Sequence, residues 1–218
     1  MLREMDAACP EIAELGIKMA YLDCGFAAEL AIGPIAAVAM TEPSTSTATE
    51  TPFWRFSLHF YRQAEVSDAC IALQDECGVD VNLLLFLFWL AAGGRRLSAA
   101  DVKRLDETVR GWRDLTIAPI REARRKLKGA STLVQPQKQE AFRTKIKAIE
   151  LEAERLQQEA LYGLTRSGPL GGQAAPGAAA RANVAAYERI LKASFPKQTV
   201  NILLGAFDAV EYSGFAAQ

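Results

Sequence analysis

The amino-acid sequence predicts an all-α fold, a single bundle of about six or seven helices over residues 51–218. Apolar side chains recur at helical spacing along most of this stretch, and the alternation typical of a half-buried strand is missing. Thr51 and Asp80 are residues that start helices, and Gly78 and Gly93 stand where the second and third helices are expected to end. The run at residues 81–92 is apolar on every side, which predicts a helix at the centre of the bundle.

Local chemistry predicts the boundaries of the first helices. Threonine at position 51 accepts backbone N–H bonds, and the proline after it loses nothing because first-turn N–H groups have no helical partner. Gly78 supplies the left-handed conformation that closes a second helix, and Ser98 with Asp101 resembles a capping box. Pro119 is compatible with a helix only in its first turn. The predicted helices begin at Pro52 and then cover residues 67–77, 81–92, 98–112 and 117–128.

Residues 137–164 form the longest predicted helix. Its apolar residues follow a 4-3 spacing while its other faces are charged, and this heptad-like pattern predicts a seam that packs against another helix. A Gly/Pro-rich loop at 166–177 follows, and two closing helices cover residues 178–193 and 198–210. The seam consists of Phe142, Ile146, Ile149, Ala153, Leu156 and Ala160.

Residues 1–50 differ from the rest of the chain in charge and composition. They hold two basic and eight acidic residues, a net charge of −6, whereas residues 51–218 hold 23 basic and 18 acidic residues, a net charge of +5. The stretch after Met40 is rich in Ser, Thr and Pro, which predicts a flexible linker. Two interpretations stay open: residues 1–39 are a loosely attached helical extension, or Met40 is the true start of translation.

The sequence carries no sign of secretion or of a membrane span. Its beginning lacks the basic segment and clean apolar run of a signal peptide. As a helix, residues 81–92 reach about 18 Å, against about 30 Å of bilayer hydrocarbon. The four cysteines form no CxxC pair, and Cys70 and Cys77 lie too far apart on one helix for a disulfide. We therefore predict a cytoplasmic protein with reduced thiols.

Several separated motifs resemble one known family. They are PFWRFS at 52–57, ALQD at 72–75, DVNLLLF at 80–86, WLA at 89–91, PIR at 119–121, RRKLK at 124–128 and ELEAER at 150–155. With these motifs, over about residues 52–205, the chain resembles a proteobacterial family of small all-helical conserved hypothetical proteins of unknown function. The resemblance implies an all-α fold and transfers no catalytic residue.

Catalytic and metal-binding chemistry finds little support in the sequence. His59 is the single histidine and falls on the polar side of the first helix, so any Ser–His or Cys–His pair depends on it. Asp75, Glu76 and Asp80 cluster in the sequence and offer oxygen ligands for a cation. A helix cap explains Asp80 better, because it precedes the free N–H groups of an apolar helix. We predict no catalytic residue, no metal and no cofactor.

The remaining candidate residues concern binding. Asn82 stands at the head of the apolar central helix, where a buried amide needs a partner, and we favour a backbone carbonyl over a ligand. Aromatic and polar residues of the first and third helices predict a small-molecule pocket between them. The basic helix at 121–128 has the charge to contact RNA phosphates, although glutamates at 150–159 offer an internal complement. The candidate residues are Trp54, Ser57, Asp80, Asn82, Trp89, Arg121, Arg124, Arg125 and Lys128.

The leading functional prediction is a non-enzymatic cytoplasmic interaction module, a homodimer that uses the helix at 137–164. Its basis is the heptad-like seam together with the lack of a catalytic constellation. The first alternative is a small-molecule-binding protein or enzyme with the pocket between the first and third helices. The second is an RNA- or ribosome-associated protein that uses residues 121–128. The predicted partner is thus a second copy or another protein, and not a membrane.

Overall fold

The computed structural model describes residues 50–129 and 131–209, and the all-α class predicted for them is confirmed. A π-helical turn, Arg113–Ile117, joins two of the helices end to end, so the described residues form seven helical rods. The helices are α1 Pro52–Tyr61, α2 Val66–Cys77, α3 Val81–Ala92, α4 Ala99–Trp112, α5 Ala118–Lys126, α6 Pro136–Leu164, α7 Pro176–Leu191 and α8 Lys197–Ala209.

The described residues from Thr51 to Ala209 belong to one unit. The extension predicted for residues 1–50 lies outside the described residues, apart from Glu50, and so does the alternative start at Met40. Both therefore stay predictions.

Helix α3 forms the centre of the bundle. Every residue from Asn82 to Ala91 is at most 6% exposed, because α3 packs against α7 as well as against α1 and α6. Burying one Leu or Phe side chain contributes about 1.5–3 kcal/mol relative to leaving it in water, so this helix supplies much of the apolar stabilisation. The central position predicted from its all-round apolar character is confirmed.

Aromatic rings fill the contact between α1 and α3. The Phe53 ring centroid lies 5.0 Å from that of Phe86 and 5.5 Å from that of Trp89. Trp89 continues the cluster to Tyr162 of α6, with centroids 5.7 Å apart. These edge-on and tilted arrangements are the ones that aromatic quadrupoles favour. The buried Phe53 of α1 thereby packs against α3, and Trp89 links this cluster to α6.

The predicted caps are present at the helix boundaries. Asp101 donates its backbone N–H to Ser98 Oγ at 3.2 Å, and Ser98 donates its own to Asp101 Oδ2 at 2.9 Å. This reciprocal pair is the capping box expected at the start of α4. Gly78 ends α2 with a φ of +67°, a left-handed conformation that costs glycine little.

A two-residue antiparallel ladder, which the sequence did not predict, joins the loop before α7 to the end of α3. Strand β1, Arg95–Arg96, pairs with strand β2, Gly172–Gln173. Gly171 has a φ of +69°, and a Cβ at this position would overlap the Arg96 carbonyl oxygen. Glycine is required here because two backbone segments approach closely. The segment predicted as an irregular loop at 166–177 is therefore partly paired.

The helix break predicted between residues 112 and 117 is wrong. The backbone stays helical and widens into the π turn. Pro119 explains this geometry, because it has no N–H for the Leu115 carbonyl and its ring crowds that oxygen. A π turn absorbs such a defect without ending the helix, and π turns often occur at functional sites.

Candidate functional site

A buried carboxylate at the start of α3 connects four elements. Asp80 Oδ1 accepts the backbone N–H of Leu83 at 3.1 Å, which is the predicted N-cap bond. Its Oδ2 accepts Gln157 Nε2 at 2.7 Å and Arg113 Nη1 at 3.3 Å. The Asp80 backbone N–H donates to the Tyr187 hydroxyl at 2.9 Å. We call Asp80, Arg113 and Gln157 the polar node; it ties α3 to the π turn and α6, and Tyr187 adds α7.

Arg113 is shared between two buried carboxylates. It also donates from Nη1 to Asp106 Oδ1 at 2.8 Å, and Arg110 donates to the other oxygen of Asp106 at 2.7 Å. Burial alone would raise the pKa of Asp106, but the hydrogen bonds and charges of the two arginines outweigh it and lower the pKa. Because the oxygens of Asp80 and Asp106 are engaged in this way, neither carboxylate is free to act as a general base.

A cleft of about 190 Å³ opens between the α2–α3 corner and the π turn. Asn82 lines it and is 6% exposed. Its Oδ1 accepts Gln158 Nε2 at 2.8 Å, so its partner is a side chain of α6 and the preference for a backbone carbonyl is wrong. Among the described residues, Asn82 Nδ2 forms no hydrogen bond. Other cleft residues include Val79, Arg113, Ile117, Ala118 and Arg121.

The pocket predicted between the first and third helices is not where this cleft lies. The rings described above occupy the contact between α1 and α3, and Trp89 is 1% exposed. Ser57 is buried at the same contact, and its Oγ has no hydrogen-bond partner among the described residues. Trp54 is half-buried on α1. Of these pocket candidates, Asp80 and Asn82 line the observed cleft.

The basic candidates of α5 face carboxylates of their own chain. Arg121 Nε donates to Glu150 Oε1 at 2.9 Å, and Arg124 Nη2 donates to the same oxygen at 3.2 Å. Arg125 pairs with Asp75 of α2 at 2.6 Å. The positive charges of α5 are thus paired with carboxylates of the same chain, which is the internal alternative noted from the sequence.

The remaining basic candidate, Lys128, is exposed and forms no ion pair within the described residues. Burial would raise the pKa of Glu150, but Arg124 and Arg121 together lower it, so this carboxylate stays ionised beside them. Little uncompensated positive charge is left on α5 for phosphates. Nucleic-acid binding through residues 121–128 stays a prediction that these contacts do not favour.

Three large apolar side chains lie on the outer surface of α6. Phe142, Ile149 and Leu156 are 55%, 56% and 48% exposed, and their spacing of seven residues puts them on one side of the helix. We call these three residues the α6 stripe. Of the other seam residues, Ala153 is buried and Ile146 is half-buried, whereas Ala160 is exposed. The predicted seam is therefore divided between the core and the surface.

Neither a membrane span nor a metal cluster is found in the described part of the chain. No helix there combines the length and apolar character needed to cross a bilayer. No group of three or more His, Cys, Asp or Glu side chains within residues 50–129 and 131–209 is placed to hold a metal ion.

Sequence reasoning missed Arg113, Asp106 and the glutamines of α6. One signal existed for Asp106, which lies four residues after Val102 and three before Val109, on the inner face of α4. A polar residue on a core-facing position needs a buried partner. Gln157 similarly lies four residues after the buried Ala153. The identity of the partners depends on tertiary packing and has no local signal.

The fold and these sites define a small all-α bundle protein with a buried polar node and no recognisable catalytic group among its described residues. Residues 52–161 match the family model described as a protein of unknown function (DUF2390). The match covers half of the chain, and the chain belongs to this family. No curated protein and no solved structure matches the chain.

Proposed function

We propose that this protein is a non-enzymatic helical interaction module that self-associates through α6. The observation that carries the proposal is the α6 stripe, which exposes three large apolar side chains at heptad spacing on a helix whose other outward positions are polar or alanine. Exposed apolar residues scattered singly are ordinary, whereas an aligned series over several turns is typical of a helix–helix interface. The partner in the proposal is a second copy of this chain.

The energetics favour weak, reversible association. Each stripe residue keeps about half of its surface in water, so covering it gains part of the 1.5–3 kcal/mol available from a fully buried side chain. Three residues from each copy together reach several kcal/mol, from which the loss of translational and rotational freedom is subtracted. Since the gain is roughly 4–9 kcal/mol and the loss at least about 4 kcal/mol, a reversible dimer with a dissociation constant of roughly 0.1–1 mM is the expected result.

The test is Ile149→Glu, which places a charge at the middle of the α6 stripe. We expect sedimentation equilibrium of the full chain to show a monomer–dimer equilibrium for wild type, and at least a tenfold (about 1.4 kcal/mol) weaker association for the variant. Ile71→Glu is the matched control, because Ile71 is also exposed, at 44%, but lies on α2. A wild-type chain that stays monomeric at the highest attainable concentration would refute self-association.

The second candidate function is small-molecule binding in the cleft beside the polar node. The Nδ2 of Asn82 supports it, because Asn82 lines the cleft and this donor, which forms no hydrogen bond among the described residues, can donate to a ligand there. The guanidinium groups of Arg113 and Arg121 also line the cleft, and Val79 and Ile117 give it apolar walls. A short-chain carboxylate matches that combination, with its charged end on the donors and its hydrocarbon on the walls.

Thermal unfolding in the presence of acetate, propionate and butyrate tests this candidate. We expect a saturable rise in Tm for wild type with at least one of the three acids, because a ligand that binds only the folded state stabilises it. Asn82→Asp is the matched variant: it keeps an oxygen acceptor for Gln158 but removes the donor and adds a repelling charge. An identical rise in both proteins would exclude the cleft as the binding site.

The same proposal places the protein in the cytoplasm of a bacterium, as the resemblance to a proteobacterial family implies. Cys70 and Cys77 are both free thiols, which supports a reducing compartment. Fractionation of the native cells with antibody detection tests this location, and recovery from the periplasm or medium would contradict it.

A further inference from the structure

Charged residues flank the α6 stripe in a definite order along the helix. On the outer side of α6, Lys138 and Lys145 lie in the N-terminal half, and Glu152 and Glu159 lie in the C-terminal half. At 100° per residue, these four side chains and the stripe fall within an arc of about 100°. The four charges are spaced by seven residues, like the stripe itself. One face of α6 is therefore basic at one end, acidic at the other and apolar along its middle.

This order is self-complementary when two copies of α6 run antiparallel. A two-fold axis at the level of Ala148 and Ile149 brings Lys145 of each copy opposite Glu152 of the other. The same axis brings Lys138 opposite Glu159, so both ends of the face meet a charge of opposite sign. Such an axis reverses the helix direction but keeps each side chain on the same side of the contact.

The apolar residues pair about an axis half a residue further along α6, a shift of about 0.75 Å at 1.5 Å per residue. Phe142 of one copy meets Leu156 of the other, and Ile149 meets its own counterpart. Alanines at positions 141, 148 and 160 stand beside these large side chains on the exposed surface, and small residues let two helices approach closely. The contact extends from residue 138 to residue 160, about 33 Å at 1.5 Å per residue.

In a parallel pair of α6 helices, like charges face each other. At every height along the pair, each residue then meets its own counterpart, so Lys145 faces Lys145 and Glu152 faces Glu152. Like charges directly across a helix contact are destabilising. The order of charges therefore favours the antiparallel arrangement over the parallel one.

Three of the four charges are available for such contacts. Within the described residues, Lys138, Lys145 and Glu152 form no ion pair. Glu159 pairs with Arg155 one turn earlier, at 3.1 Å and with both side chains 40% exposed. An exposed pair of this kind contributes little, so Glu159 can exchange it for a lysine of a second copy.

From this pattern we infer that two copies of the chain bind each other through antiparallel α6 helices, with Ala148 and Ile149 at the two-fold axis. Lys138, Lys145, Glu152 and Glu159 fix the direction and register of the pair. The inference rests on the proposed self-association, to which it adds the geometry and the residues that select the partner. A chain with the reverse order of charges on this face is rejected as a partner.

Charge exchange within α6 tests the direction of the pair. Lys145→Glu alone places two like-charged contacts in the antiparallel dimer, and we expect about tenfold weaker association. The double variant Lys145→Glu with Glu152→Lys restores both contacts in its own dimer, and its association should return close to that of wild type. All four positions are exposed or half-exposed, so the variants are expected to fold normally.

Mixing the double variant with wild type gives the decisive measurement. In native mass spectrometry, with one protein tagged, we expect mixed dimers below the random proportion, because a mixed antiparallel pair sets lysine against lysine and glutamate against glutamate. Mixed dimers above the random proportion indicate a parallel pair and overturn the inference. Random mixing, with unaltered affinity for Lys145→Glu, shows that these charges are outside the interface and also overturns it.

Failure of the underlying proposal gives a different result. If the proteins are monomeric at every concentration, self-association itself is excluded. A photo-cross-linker at position 149 that reacts with residues 1–50 of the same chain leads to the same conclusion. A dimer that persists but ignores the exchanged charges retains the proposed function and removes the antiparallel geometry.

Discussion

Replacing Asp80 by alanine is expected to lower the free energy of unfolding by about 3–5 kcal/mol, the usual cost of breaking a buried ion pair from one side. The substitution removes the cap of α3 and the hydrogen-bond acceptor of Gln157, and it removes one of the two buried carboxylates that Arg113 contacts. Loss of a cap alone costs about 1 kcal/mol. The larger part of the loss comes from the unpaired Gln157 amide and the lost Arg113 contact, since both side chains reach little solvent.

Urea denaturation followed by far-ultraviolet circular dichroism measures this loss. Asp80→Asn should cost less than Asp80→Ala, because the amide oxygen still serves one N–H group although the charge is gone. Asp114→Ala is the control: Asp114 accepts Arg113 Nε at 3.3 Å, but its side chain is 62% exposed. A loss within about 0.5–1 kcal/mol is expected there. Equal losses of stability for Asp80→Ala and Asp114→Ala would show that the polar node does not stabilise the fold.

The cap at Asp80 was predictable because its chemistry is local. The carboxylate and the N–H that it accepts are three residues apart, so the sequence contains both partners in one window. The other bonds of the same carboxylate come from residues 33 and 77 positions away. No periodicity or spacing relates these positions, and only the packing of α6 and the π turn around α3 brings them together.

The course of the helix around Pro119 shows a second limit of local reasoning. Proline leaves a defect in the hydrogen-bond ladder of a continuous helix, because it has no N–H to donate. At such a defect the helix can either end or widen into a π turn. The outcome depends on the tertiary contacts that the neighbouring residues form in each case. Here Arg113 reaches two buried carboxylates from inside the π turn, and Ile117 is 2% exposed. These tertiary contacts favour the continuous helix.

The sequence predicted the apolar seam of α6 but not which of its residues are buried and which are exposed. The 4-3 spacing places Phe142 and Ala153 on adjoining lines along the helix, and the sequence treats both lines alike. In the structure Ala153 faces the core, while Phe142, Ile149 and Leu156 face outward. The buried Glu150 and Gln157 explain the difference, because their partners in α5 and α3 fix the rotation of α6.

No local pattern singles out Asn183, and its replacement by leucine is expected to lower the free energy of unfolding by about 3–4 kcal/mol. It is fully buried on α7. Its Oδ1 accepts the Leu97 N–H at 2.7 Å, and its Nδ2 donates to the carbonyls of Leu87 and Arg95 at 3.1 and 3.0 Å. One side chain thus satisfies the irregular backbone between α3 and α4.

Leucine has nearly the same size, so the substitution removes hydrogen bonds without opening a cavity. The Leu97 N–H and the Arg95 carbonyl then stay buried without these partners, and that desolvation penalty dominates the loss. Asn201→Leu is the matched control, because Asn201 is exposed on α8, and its effect should stay within about 0.5 kcal/mol. Urea midpoints at unchanged m-value measure both variants. A midpoint for Asn183→Leu equal to that of Asn201→Leu would mean that water replaces the amide, and that α7 does not hold this connection in place.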